Sequence, residues 1–158
     1  MPRTTAVGYT PALGIVALGT NNRVTLGNKG RLDVDIAVYG QAAHSSTPWA
    51  GSNAIDGAWK VLDRLEALPL GGEDHPMLGK ATLTCTGIHS FSTATHTIQN
   101  EVRLPCDRRL LPGQDPQHAF DRITAALDEI DGPWRIEARR APYMHPCEIS
   151  REESCSAR

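Results

Sequence analysis

A chain of 158 residues, 40% hydrophobic and 22% charged, has the size and composition of one soluble domain with a modest core. Its net charge of -2, its 5% aromatic content and the lack of any basic run longer than Arg139-Arg140 exclude a nucleic-acid-binding surface. The apolar run Ala12 to Leu18, interrupted by Gly14, is too short for a membrane span of roughly 18 residues or more, and its flanks do not suit a signal peptide.

Residues 1–21 read as a remnant strand (GIVAL at 14–18) and linker, with nothing of their own size nearby to pair with. Residues 23–26 and 31–39 alternate apolar and polar around a GNKG turn, as strands with one buried face do. A helix is predicted over 52–68, with Ser52 or Asn53 as its cap and Ile55, Trp59, Leu62 and Leu65 as its apolar stripe. Pro69 and a Gly-Gly pair end it. Residues 81–91 alternate and are rich in Thr, Leu, Ile and Cys, so they predict a strand. The next strand spans 101–110, where Pro105 removes a ladder donor and favours an edge position or a bulge. Asp115 and Pro116 are cap and first residue of a second helix bearing Phe120, Ile123, Leu127 and Ile130 on one face. Gly132-Pro133 stop it, and Trp134 to Arg140 supply the last strand.

The order β-α-β-β-α-β predicts an α+β, ferredoxin-like fold over residues 22–140, with a four-stranded antiparallel sheet and two helices on one face. Residues 141–158 lose periodicity and are expected to form a disordered tail. Cys85, Cys106, Cys147 and Cys155 lack C-x-x-C spacing. Cys85 and Cys106 fall in predicted strands and read as small buried hydrophobes, and their free thiols point to a reducing cytoplasm.

Two stretches carry chemistry. In GQAAHSSTPWAGSNAI (40–55) a strand ends at a glycine and delivers His44 into a Ser/Thr/Pro loop; in DRRLLPG (107–113), Asp107 and Arg109 share one face of a strand. Together they resemble the lid, or dimerisation, domain of the zinc hydrolases that include acetylornithine deacetylase, succinyl-diaminopimelate desuccinylase, aminoacylase and carboxypeptidase G. The resemblance covers about residues 15–150. It implies that His44 reaches the partner subunit's active site and donates to the substrate carbonyl or oxyanion. It implies that Arg109, oriented by Asp107, holds a substrate carboxylate; a plain structural salt bridge is the other reading of that pair. Asn53 matches an Asn of the family's G-x-N-A-I and reads as a brace for the helix start. His96 stands where the family commonly has Asn, which puts its substrate-binding role in question. His75, His89, His118 and His145 have no spacing that suggests a metal site.

The family's zinc ligands have no counterpart. There is no H-x-D pair, no Glu-Glu pair outside the tail (Glu152-Glu153), and Leu18 stands where the family's G-E-P-T run has its metal-binding Glu. The expected protein is therefore a cytoplasmic homodimer with no metal or other cofactor of its own and no hydrolysis of its own. Parental activity would be zinc-dependent cleavage of an N-acyl or peptide bond beside a carboxylate. The alternatives are a small-carboxylate-binding or dimerisation module, and a lid that completes a separately encoded catalytic zinc domain in trans.

Overall fold

The computed structural model describes residues 25–91 and 94–149. The predicted remnant strand with Leu18, residues 22–24, and residues 150–158 with Cys155 lie outside that range. The elements are β1 (Gly27–Asn28), β2 (Gly30–Tyr39), a 3-10 turn (Pro48–Ala50), α1 (Ala54–Glu66), β3 (Thr82–Cys85), β4 (His89–Ser90), β5 (Glu101–Leu110), α2 (Pro116–Asp128), β6 (Arg135–Arg140) and β7 (Cys147–Glu148). The main sheet runs β3-β5-β2-β6, with β4 also paired to β5, and every pairing is antiparallel.

The alternation read along the strands sets the layers. Leu32, Val34, Ile36 and Val38 of β2 and Val102, Leu104, Cys106 and Leu110 of β5 point to the helices and form the core with Ala58, Val61, Ile123 and Leu127. The intervening residues, from Arg31 to Tyr39 and from Glu101 to Arg109, form the opposite, uncovered face. α1 lies over β5, β2 and β3; α2 lies over β2 and β6. Gly57 lets α1 come close to its neighbours, because a Cβ there would sit 2.7 Å from Val38 Cγ1 and 2.8 Å from Trp134 Cγ.

The sheet has five strands, against the four expected, and Pro105 explains the difference. β5 is an interior strand, so the proline is not at an edge. Thr86 N donates to Pro105 O (2.8 Å), but Pro105 has no N–H to return. The pairing then shifts by one residue: Cys85 faces Cys106, whereas His89 faces Arg103. One extra residue is accommodated at 86–88, a bulge opposite the proline, and the single strand predicted over 81–91 is broken into β3 and β4.

Two further expectations change. Of the stripe Ile55, Trp59, Leu62 and Leu65, Leu65 is buried and Leu62 packs partly against the core, but the buried face of α1 is Ala54, Gly57, Ala58, Val61 and Leu65. Ile55 and Trp59 are 49% and 73% exposed. At about 100° per residue they lie roughly a quarter-turn from the buried face. Lys60 and Arg64, which donate to Asp131 O and Ala126 O, take the opposite flank towards α2. Ile55, Leu62 and Trp59 therefore line the flank above the β3/β4 edge.

Within the expected tail, residues 141–149 have defined partners. Met144 and Arg31 exchange backbone hydrogen bonds, β7 pairs with β1, and Ile149 N donates to Leu26 O. The predicted GNKG turn is accordingly split between β1 and the start of β2. His75 Nδ1 accepts the N–H groups of Met77 and Leu78, which leaves the ring proton on Nε2, where it meets Glu148 Oε2 at 3.1 Å. This contact ties β7 to the loop before β3.

Candidate functional site

The predicted site residues fall into two groups at opposite ends of the sheet. At the first end β2 stops at Gly40, where the chain passes so close to Ser52 that a Cβ would lie 2.0 Å from its carbonyl oxygen. Gln41 and Ser52 exchange backbone hydrogen bonds at 2.9 Å, Ile98 N donates to Ala43 O, and Ser45 N donates to His96 O at 2.8 Å. Residues 41–45 are thereby clamped between the start of α1 and the 96–98 segment.

That clamp brings His44 and His96 together, with rings stacked at 6.2 Å between centroids and 15° between planes. Ser46 N donates to His44 Nδ1 at 3.2 Å, and Ser46 Oγ lies 2.8 Å from the same nitrogen. A backbone N–H can only donate, so neutral His44 carries its proton on Nε2. Both histidines are exposed. His44 thus offers an N–H donor on the side of the ring away from Ser46. Asn53 is spent on the helix: its Oδ1 accepts from Ile55 N (3.2 Å) as the cap of α1. Trp49, in the 3-10 turn that follows His44, is 80% exposed.

At the other end, Arg109 Nε and Nη2 donate to the two carboxylate oxygens of Asp107 at 2.7 and 2.9 Å. Arg31 and Asp33 make the same forked pair at 2.7 and 2.6 Å. Across the strands Arg31 faces Arg109 and Asp33 faces Asp107. Like charges opposed in this way repel, and each is relieved by its partner two residues along its own strand. The Asp33 hydrogen bond, and then its charge, raise Arg31 above the usual arginine value. All four side chains are on the uncovered face of the sheet.

The Arg31–Arg109 row and the Tyr39–Glu101 row are eight residues apart, or about 26 Å at the usual rise of a strand. His44 lies beyond the second row. One small ligand cannot touch Arg109 and His44 of the same copy.

The sequence reading passed over Arg108, the middle residue of the D-R-R run. It faces the helices and is 3% exposed. Its guanidinium donates to the carbonyls of Thr82, Arg109 and Leu70 and to Gln114 Oε1. Burial, then the nearby charge of Arg122, push it down to about 10, so it stays fully charged at neutral pH. It braces β3, the 70–72 loop and the start of α2. The same alternation that put Arg109 outside would have placed Arg108 inside.

Among the described residues no group of three or more His, Cys, Asp or Glu side chains is placed to hold a metal ion. The zinc of the resembled family does not fit these residues. Among the same residues no helix is long and apolar enough to cross a membrane.

The uncharacterized protein YgeY of Escherichia coli is 32% identical over 120 residues, which are 75% of this chain and 29% of that protein. A probable carboxypeptidase of Uncinocarpus reesii is 30% identical over 126 residues, covering 76% and 28%. The chain therefore spans less than a third of the length of the curated relatives it matches. Among solved structures, a hydantoinase/carbamoylase-family amidase from Burkholderia phymatum superposes with a TM-score of 0.68 at 16% identity, over 80% of this chain and 32% of that one. A tripeptidase from Staphylococcus aureus does so with a TM-score of 0.57 at 22% identity, over 82% and 33%. At such identities the likeness is one of fold. A family model described as the peptidase dimerisation domain matches residues 26–135, from the residue before β1 to the first residue of β6. The chain belongs to that family, the dimerisation domain of the M20 peptidases.

Proposed function

We propose that this domain self-associates as a homodimer and acts as the lid of a hydrolase that cleaves an N-acyl or peptide bond beside a carboxylate. By itself it holds the two copies together and does not hydrolyse. The observation that carries this is the apolar flank of α1, with Ile55 and Trp59 exposed, lying above a sheet edge that pairs with nothing on its outer side among the described residues. That edge also displays Ile88 and Phe91, 60% and 48% exposed. A free edge with an apolar helix beside it is a template for a second copy, and a two-fold contact would join two sheets into one. The strand order and the two helices on one face support a ferredoxin-like reading, with its second strand broken in two. We place the protein in the cytoplasm on the strength of the free thiols of Cys85, Cys106 and Cys147 among the described residues.

Within this reading the two site groups serve different active sites. β1 and β7 run side by side at the Arg31 end, so a catalytic domain joined through them would lie near Arg109, which would take the substrate carboxylate by its fork. His44, more than about 26 Å away along the strands, would serve the partner's site, where its Nε2–H would donate to the developing oxyanion. His96, stacked on His44, would position that ring, and Asn53 would hold the helix start.

The experiment supplies the chain in trans to the catalytic zinc domain of a relative stripped of its own lid, with an N-acetyl amino acid as substrate. His44→Gln should lower kcat and Arg109→Lys should raise KM. A mixture of the two variants should recover part of the activity, because mixed dimers contain one site with both residues intact. No recovery in the mixture would reject the division of labour between copies. No stimulation by the unaltered chain would reject the lid role in trans.

A further inference from the structure

Cys85 and Cys106 face each other across β3 and β5. The bond from Thr86 N to Pro105 O marks the neighbouring rung as a hydrogen-bonded one. The cysteine rung is therefore of the other kind, with Cα atoms about 4.5 Å apart and side chains drawn together. That separation lies inside the range of about 4.4–6.8 Å that a disulfide spans. Both thiols are free, Cys106 buried and Cys85 half-buried, and both are on the helix side of the sheet. Cys85 is also the last residue of an edge strand. At the next rung the ladder is held by a single backbone bond, since Pro105 cannot donate, and the chain bulges at 86–88 before pairing resumes at β4. β3 can therefore shift by the small amount that a sulfur–sulfur bond requires without breaking an interior ladder.

We propose that Cys85 and Cys106 are a redox modification site, forming a reversible cross-strand disulfide that closes the 86–105 segment carrying β4 and His96. The oxidant is a small-molecule disulfide of the oxidised-glutathione class. The Cys85 thiolate attacks one of its sulfurs, breaking that S–S bond and releasing one glutathione thiolate. Cys106, giving its proton to solvent, then attacks the Cys85 sulfur and expels the second glutathione. Two protein thiols lose two electrons and two protons, and one oxidised glutathione becomes two reduced ones. The order follows from exposure. Burial, then the charge of Cys85 and its hydrogen bond, push the Cys106 thiol up to about 12, so Cys106 is a poor first attacker. Once Cys85 is in the mixed disulfide its charge is gone, and that part of the barrier to ionising Cys106 goes with it. Residues 94–100 cradle His44, so oxidation would tie both ends of the segment that cradles it. Transient, redox-sensing disulfides of this kind are the sort found in a reducing compartment.

The test uses the whole chain with Cys147→Ser and Cys155→Ser, so that only the two facing cysteines remain. After incubation with oxidised glutathione, trypsin under non-reducing conditions should release residues 81–103 linked to residues 104–108. The linked species should weigh two hydrogens less than the two peptides together, and dithiothreitol should separate it. In a further Cys106→Ala variant Cys85 should instead keep its glutathione adduct. The proposal is overturned by a stable glutathione adduct on Cys85 while Cys106 is still present. It is equally overturned by linkage between two chains through Cys85, or by both thiols staying free at an oxidant concentration that modifies Cys147 in the unaltered chain.

Discussion

Trp59→Ala and Val61→Ala, two positions apart on α1, should separate association from folding. Trp59 is 73% exposed in the single chain, so its truncation removes little that the monomer buries, and its folding free energy should change by no more than about 0.5 kcal/mol. An aromatic side chain of this kind offers roughly 150 Å² in the exposed state, which at 25 cal/mol per Å² sets a ceiling of about 4 kcal/mol for burying it at an interface. Interface tryptophans that reach a central, water-free position lose about 2 kcal/mol or more on truncation. A two-fold contact uses the residue twice, so the dimer should weaken by about 4 kcal/mol, near a thousandfold in Kd. Val61 is fully buried against the sheet, and Val61→Ala should cost about 2 kcal/mol of folding stability with little change in Kd. Sedimentation equilibrium over a wide concentration range gives Kd. Denaturant unfolding must be measured below the dimer Kd, because association otherwise adds to apparent stability. An unchanged Kd for Trp59→Ala would refute the assignment of this flank as the interface. A monomeric parent chain would refute dimerisation itself.

Gly40→Ala should loosen the clamp around His44, since the added Cβ meets Ser52 O at 2.0 Å and backbone must move. Faster amide exchange at Ser45 and Ile98, whose N–H groups donate to His96 O and Ala43 O, would report it, and unchanged exchange would show that the turn absorbs the methyl. A second outcome concerns alkaline pH. Burial and then Cys85 raise Cys106 from its ordinary 9.0 to about 12, so between those values the folded state holds a proton that the unfolded state has lost. Stability from this group is complete below pH 9 and is lost as pH rises towards about 12. Cys106→Ala should show a shallower decline than the parent chain over that window in denaturant unfolding, and parallel curves would contradict it.

How much of this was legible in the sequence depended on how local the cause was. The caps at Asn53 and Asp115, the α2 stripe and the alternation of β2 and β5 are set by neighbours a few residues away, and they stand where the pattern places them. The forked Asp107–Arg109 pair follows from the same period of two. The split of 81–91 needed the knowledge that Pro105, some twenty residues on, would face Thr86 across a ladder. The β1–β7 pairing joins residues more than a hundred positions apart, with no side-chain period in either two-residue strand to announce it. The gathering of His44 with His96 likewise depends on a backbone clamp that neither segment shows alone.

The misread face of α1 is the most instructive of these differences. A pattern search for large apolar residues finds Ile55, Trp59 and Leu62, and assumes that the largest side chains go inside. The sheet side instead takes Ala54, Gly57 and Ala58 with Val61 and Leu65, and at Gly57 Val38 and Trp134 approach too closely for any side chain. The large residues are displaced onto the flank over the free edge. Two apolar faces on one amphipathic helix are more than a single-chain fold of this size needs to bury. Exposed apolar surface contiguous with an unpaired strand edge is costly in water and prone to non-specific association. An exposed apolar flank of this kind is what a surface with a partner predicts. In the proposed homodimer the stripe would still signal burial, and that burial would belong to the assembly.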